Sequence, residues 1–302
     1  MIEILVVVGI IALLVGILIP ALTMVRKTAK EVKQKAQFTA IDLGLAAFKN
    51  DYGDYPPSLL WEPANPAAQL RDYGGAQKLA EAMFGWDLLG FHPNSAWRAD
   101  GLGVDATGTP VPNSAYAAPD SLARRRGRYV DLEMANAFRI GQSAAGVSDG
   151  LFLDGTGAGG THLAENTYVL CDVFEVPQRR VLLSNGKTVS PGTPILYCKA
   201  NTASRFMVDA AGATDDTQAD SSIYRARDNS ALVRLGRVAD GGYPVAARRP
   251  HPLSDWGRFY EFIRDPRVQA QPWPYKPDSY ILISAGYDGL YGTDDDICNF
   301  AR

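Results

Sequence analysis

From Ile4 to Val25 the chain carries no charge, and Thr23 is the one polar side chain in the run. At a rise of about 1.5 Å per residue, such a stretch crosses the roughly 30 Å hydrocarbon core of a bilayer as one helix. Two residues in it serve no plain anchor. Glu3 puts a carboxylate at the edge of the run, and Pro20 sits inside it, where it removes a helix hydrogen bond.

A signal peptide would show a basic segment first, then a shorter apolar core and a small-residue cleavage site. Here no basic residue precedes the run, and the first ones after it are Arg26 and Lys27. The run also flows unbroken into a second helical pattern. Val32, Ala36, Ala40, Leu43 and Ala47 recur at helical spacing, with Ile41, Leu45, Phe48 and Tyr52 on an adjoining face. One helix of about 50 residues, on the order of 75 Å long, is expected. Gly53 and Pro56-Pro57 supply its stop. Its apolar half is 1–25 and its amphipathic half 26–52, with a globular domain over 53–302. Arg26, Lys27, Lys30, Lys33 and Lys35 by themselves favour a cytoplasmic side for that domain, although large domains are translocated regardless of such charges.

Beyond that helix, 29 Gly and 19 Pro among 302 residues forecast a loop-rich domain. A short helix is expected at 76–84, and strands at 168–174, 180–184, 194–199, 205–209 and 279–284, with a second short helix at 256–263. The fold class is α+β: a long N-terminal helix packed on a small antiparallel sheet, here expected as a meander, with a loop-rich insertion at 58–165. The basic run Arg124, Arg125, Arg126 and Arg128 fits a solvated loop better than a phosphate-contacting one. Cys171 and Cys198 fall in neighbouring expected strands and form a possible disulfide, leaving Cys298 free.

Enzyme signatures are absent or misplaced. The chain has no GxSxG, P-loop or HExxH, and no amphipathic helix follows the glycine-rich run 155–160. Its histidines, at 92, 162 and 251, are scattered. A net charge of −3 argues against a dedicated nucleic-acid binder. The expectation is a structural protein, not an enzyme. The closing segment is sharper. Asp288, Asp294, Asp295 and Asp296 lie among Gly286, Gly289 and Gly292, and a hard divalent cation such as Ca²⁺ needs oxygens on a chain free to curl. The spacing is not that of an EF-hand, and an acidic surface turn is the other reading.

Met1-Ile2-Glu3-Ile4-Leu5-Val6-Val7-Val8, with Pro20 seventeen residues after Glu3, resembles the N-terminal region of the type IV pilin and pseudopilin superfamily. That family matures at a Gly↓Phe-Thr-Leu-Ile-Glu site. The resemblance therefore puts the cleavage-site Gly and the first two mature residues ahead of Met1. The helix end, Leu45 to Pro56, resembles the major pseudopilin of type II secretion systems. So does the tail, where Asp288-Gly289 and Gly292 precede Asp294-Asp295-Asp296-Ile297-Cys298-Asn299-Phe300.

Carried over, the resemblance makes Asp288, Asp294 and Asp296 calcium ligands and Ala285 a carbonyl ligand, with Asp295 left open. It implies a homo-oligomeric helical filament in which Glu3 sets register and Pro20 loosens the helix. It implies as partners an inner-membrane assembly platform, a prepilin peptidase and minor pseudopilins. The subunit would sit in the inner membrane with a periplasmic domain before assembly, and in a periplasmic or extracellular filament after. A surface pilus subunit for adhesion or DNA uptake, and a membrane-anchored Ca²⁺-dependent enzyme or sugar-binding module, are the alternatives.

Overall fold

The computed structural model of the chain describes residues 2–60, 72–105, 107–111, 115–142, 148–152, 164–208, 221–238 and 247–300. The glycine-rich run 155–160, His162 and Asp209 lie outside them.

Helix α1 spans Ile2–Tyr52 without a break, as the sequence predicts. Pro20 lacks the N–H that would reach back one turn, yet the helix runs through it. One turn later Thr23 donates its hydroxyl to the Pro20 carbonyl at 2.7 Å. Gly53 ends the helix in the left-handed region (φ 82°), its N–H donating to Lys49 C=O at 2.7 Å.

The two halves of α1 differ in what covers them. Leu13, Ile17 and Leu18 are each more than 60 % exposed, whereas Ile41 and Leu45 are wholly buried. The buried face is Gln34, Gln37, Phe38, Ile41, Leu45 and Phe48, which corrects the expected stripe: Val32 and Leu43 face solvent. Two glutamines on the inner face are the reason. Gln37 Nε2 donates to Ala135 C=O (3.0 Å) and Cys171 C=O (2.9 Å), and Gln34 Oε1 accepts from Val173 N–H (2.9 Å). They satisfy backbone groups that α1 would otherwise bury unpaired.

The other helices are α2 (Gly75–Phe84), α3 (Ser121–Arg124), α4 (Leu132–Ala135), α5 (Ser230–Val233) and α6 (Trp256–Ile263). Nine short strands lie among the described residues. β1 (Gly103–Val104) pairs with β2 (Pro110–Val111), β3 (Ala137–Arg139) with β4 (Tyr168–Leu170), and β5 (Val181–Leu182) with β6 (Thr188–Val189). β7 (Leu196–Lys199), β8 (Tyr280–Ser284) and β9 (Ile297–Cys298) form an antiparallel sheet with β8 in the middle. A bridge between Cys171 and Pro194 and the Ile195 N–H···O=C Leu170 bond of 2.7 Å join β4 to β7. Residues 205–208 form no strand, although Met207 and Val208 are buried. The β5–β6 hairpin stands apart from this sheet, so the expected simple meander is only partly realised.

Alternation along the central strands builds two cores. Tyr197, Tyr280 and Leu282 pack with Phe38, Ile41, Leu45 and Phe48 of α1 and with Leu79, Met83 and Phe84 of α2. Leu196, Cys198, Ile281 and Ile283 point the other way, to Leu232 of α5 and Phe259, Tyr260 and Ile263 of α6. The sheet is thus covered on both faces, and β8 is buried at every position.

Residues 58–165 are more than a loop-rich insertion, because all of α2 is buried. Its polar groups are answered from afar. Gln77 Nε2 donates to Thr167 Oγ1 (2.7 Å), Lys78 Nζ to Leu59 C=O (2.6 Å), and Tyr73 and Ser95 hydroxyls to Glu81. Burial pushes the Lys78 ammonium down to about 8 and the Glu81 carboxyl up. The basic run is not simply solvated either. The Arg125 side chain is 4 % exposed and pairs with Asp87.

Candidate functional site

Two regions carry the residues that the sequence singles out. At the N-terminal end, Glu3 lies in the first turn of α1 and is exposed, at the head of an equally exposed apolar cylinder. α1 contains one segment long and apolar enough to cross a membrane, none of it buried by the domain.

The second region is the loop after β8. Gly286 (φ 63°), Gly289 (φ 71°) and Gly292 (φ 94°) turn it in the left-handed region. At Gly286 a Cβ would stand 2.2 Å from the Asp295 carbonyl oxygen, so glycine is obligatory there. The aspartates cap the turns. Asp288 Oδ1 accepts from Leu290 N–H (2.7 Å), Asp295 Oδ2 from Asp288 N–H (2.9 Å), and Asp296 Oδ2 from Gly292 N–H (2.7 Å). Thr293 donates its hydroxyl to Asp295 Oδ1 at 2.7 Å. Ala285 is fully buried, and Asp294 is exposed. Burial raises the Asp288 carboxyl above its ordinary value, and the neighbouring Asp295 charge adds to the rise.

The loop's donors are oxygens, each bonded carboxylate keeps lone pairs beyond its loop amide, and the glycines allow tight curvature. That chemistry suits a hard divalent cation. The carboxylates do not meet at one point, and among the described residues no three acidic, histidine or cysteine side chains gather as a metal-ligating group.

No family model, curated protein or solved structure matches this chain.

Three groups that hold the loop were not singled out in the sequence. His251 Nδ1 accepts from Tyr291 N–H (3.2 Å), and the two rings lie 4.4 Å apart. Ser284 donates to buried Asp172. Asp172 Oδ1 also accepts from the N–H groups of Thr193 (3.0 Å) and Phe174 (3.2 Å), and burial pushes the carboxyl up to about 7. One signal was available: Asp172 is a lone acid inside an apolar strand, and a buried carboxylate must find donors.

The disulfide expectation is corrected. Cys171 and Cys198 are both buried free thiols, and Cys298 is a third, half-exposed one. Cys171 lies opposite Pro194, so Cys198 is four residues further along the facing strand. At about 3.3 Å per residue that is roughly 13 Å, beyond the reach of about 7 Å between bridged Cα atoms.

Proposed function

We propose that the chain is a structural subunit, anchored in a membrane by the first half of α1, that polymerises into a pilus-like filament of the type II secretion pseudopilin kind. One observation carries this: a single continuous helix is the spine of a folded domain over its second half and has no covering at all over its first. An apolar cylinder of that size needs lipid or copies of itself around it.

In this scheme the subunit waits in the inner membrane with its domain on the periplasmic side. An assembly platform then transfers it into a fibre whose core is a bundle of these helices. Prepilin peptidase and minor pseudopilins are the expected partners. Glu3 is costly in hydrocarbon and would offset that cost by pairing with an N-terminal ammonium inside the bundle, which fixes axial register. Pro20 lets the helix bend as neighbours pack. Ca²⁺, held by Asp288, Asp294, Asp296 and the Ala285 carbonyl, with Asp295 beside them, would neutralise the loop and stiffen it.

Glu3→Ala tests the scheme. Membrane insertion should persist, while fibres seen by electron microscopy should vanish. Fibres of normal number and helical symmetry from the variant would sink the role given to Glu3.

A further inference from the structure

The outer face of the second half of α1 carries a regular pattern that the domain does not cover. Ala29, Val32, Ala36, Thr39, Leu43 and Ala46 are all exposed, Val32 at 62 % and Leu43 at 72 %. At 3.6 residues per turn their mean direction lies about 180° from that of Gln34, Ile41, Leu45 and Phe48, which face the domain. The six are uncharged, and their spacing alternates strictly between three and four residues. Val25, the last residue of the apolar run, falls on the same repeat. A repeat averaging 3.5 residues is the one that two helices share in a left-handed coiled coil.

Lipid does not reach this face, because Ala46 lies about 32 Å along the axis from the end of the apolar run. A helix with a matching repeat does cover it, and a second copy of this chain supplies one. Two copies anchored in one membrane run parallel. We propose that the chain forms a symmetric, in-register pair through this outer face of α1, in the membrane and ahead of any fibre. The inference rests on the membrane-anchor reading and not on the fibre. The pair is closed, with the same six residues used by both copies, whereas a fibre needs a head-to-tail contact that repeats.

Charge sets the register. In a parallel pair the residues flanking the seam meet their counterparts five positions on. Thr28 then meets Lys33 of the second copy, Lys35 meets Ala40 and Asp42 meets Ala47, so no like charges face each other. A slip of one heptad brings Lys35 against Lys33 of the second copy and is disfavoured. Ala29, Ala36 and Ala46 let the two backbones approach closely. A seam this short holds a pair only weakly in water, but a shared membrane raises the effective concentration as a short linker does.

The test uses the full chain in phosphatidylcholine vesicles without assembly partners, with Cys298→Ser removing the half-exposed thiol. Ala46→Cys, on the seam, and Lys49→Cys, exposed but off it, are oxidised with copper phenanthroline and resolved on non-reducing gels. Ala46→Cys should give about tenfold more covalent dimer, since a disulfide spans no more than roughly 7 Å between Cα atoms. Adding Leu43→Asp, at an exposed residue of the seam, should bring that yield down to the Lys49→Cys level.

Equal cross-linking at the two positions overturns the proposal, and so does a yield that Leu43→Asp leaves unchanged. Glu3→Ala, expected to form no fibres, should keep the cross-link; its loss there would assign the contact to the fibre and remove the separate pair. Flotation divides the inference from its basis. A chain that floats without the positional preference refutes only the pair, and one that does not float refutes the anchor and the pair together.

Discussion

Ser284 donates its hydroxyl to Oδ2 of Asp172 across 2.9 Å, tying the end of β8 to the residues just past β4. The C-terminal loop leaves the sheet at this point, so the bond sets the base on which the loop stands. Among the described residues, the other donors to the Asp172 carboxyl are the neutral N–H groups of Thr193 and Phe174. The chain passes close to this carboxyl: a Cβ on Gly192 would lie 2.1 Å from Oδ1.

The Asp172 carboxyl is pushed up to about 7 by burial, so the folded chain binds its proton more tightly than the unfolded chain does. Its contribution to stability is full below about pH 4 and is lost as pH rises toward 7. Asp172→Asn removes that titration. The stability of the variant relative to the natural chain should improve by roughly 2.5 kcal/mol between pH 5 and pH 8, at about 1.4 kcal/mol per pH unit over the titrating range. Melting curves at both pH values in chelator check this. Buried Glu81 and Asp228 are raised in the same direction but are present in both proteins and cancel. A difference independent of pH would assign the titration elsewhere.

Gly75 sits where α2 meets β7. Alanine in a helix is ordinarily better than glycine by about 1 kcal/mol. A Cβ here, however, would lie 2.1 Å from the Tyr197 carbonyl oxygen, a backbone atom of a buried strand. Overpacking of that kind costs about 1–3 kcal/mol and should win. Gly75→Ala is expected to lower the denaturant midpoint, while Gly127→Ala, with open space around it, should leave the midpoint unchanged or raise it.

Much of the scaffold is legible in the sequence because local chemistry decides it. The apolar run, the uninterrupted helical pattern and Gly53 define α1 almost to the residue, and the 256–263 helix and the strands at 168–170, 196–199 and 280–284 follow from apolar pattern. The inner face of α1 was legible only in part: Ile41, Leu45 and Phe48 fall on an apolar helical face and are buried, while the two glutamines beside them are not read that way. Gln34 and Gln37 read as surface residues until their partners are known, and those lie 139, 98 and 134 residues away. The same distance hides the burial of α2, whose Gln77 answers Thr167 ninety residues on. In the candidate site the glycine–aspartate loop is a local signal and was readable. The Asp172–Ser284 bond spans 112 residues and was not.

The proposed calcium site would have a thermal signature. Asp288 Oδ1 holds Leu290 N–H, and Asp295 Oδ2 holds Asp288 N–H, so the loop is closed by carboxylates that repel one another. A bound divalent cation would relieve that repulsion and stabilise the folded state by mass action, about 2.7 kcal/mol at one hundred times its dissociation constant. Millimolar Ca²⁺ should therefore raise the melting temperature of the natural chain by several degrees. Asp288→Ala should melt lower and lose the response. Identical curves with calcium and with chelator would refute the metal.

The two halves of α1 predict opposite responses to the loss of a leucine. Leu45 is fully buried among Ile41, Phe48 and Met83, so Leu45→Ala removes contacts and leaves a cavity. It should cost about 2–5 kcal/mol of domain stability. Leu13 is 64 % exposed, in a segment none of which is buried. Leu13→Asp should shift the unfolding midpoint by less than about 0.5 kcal/mol. It places a charge in the middle of the apolar run, at an insertion cost of about 3 kcal/mol, and should move the chain from the membrane fraction to the soluble one. If Leu13→Asp destabilises the domain as much as Leu45→Ala, the first half of α1 packs against protein of the same chain. It would then be no free cylinder, and the anchor would lose its basis.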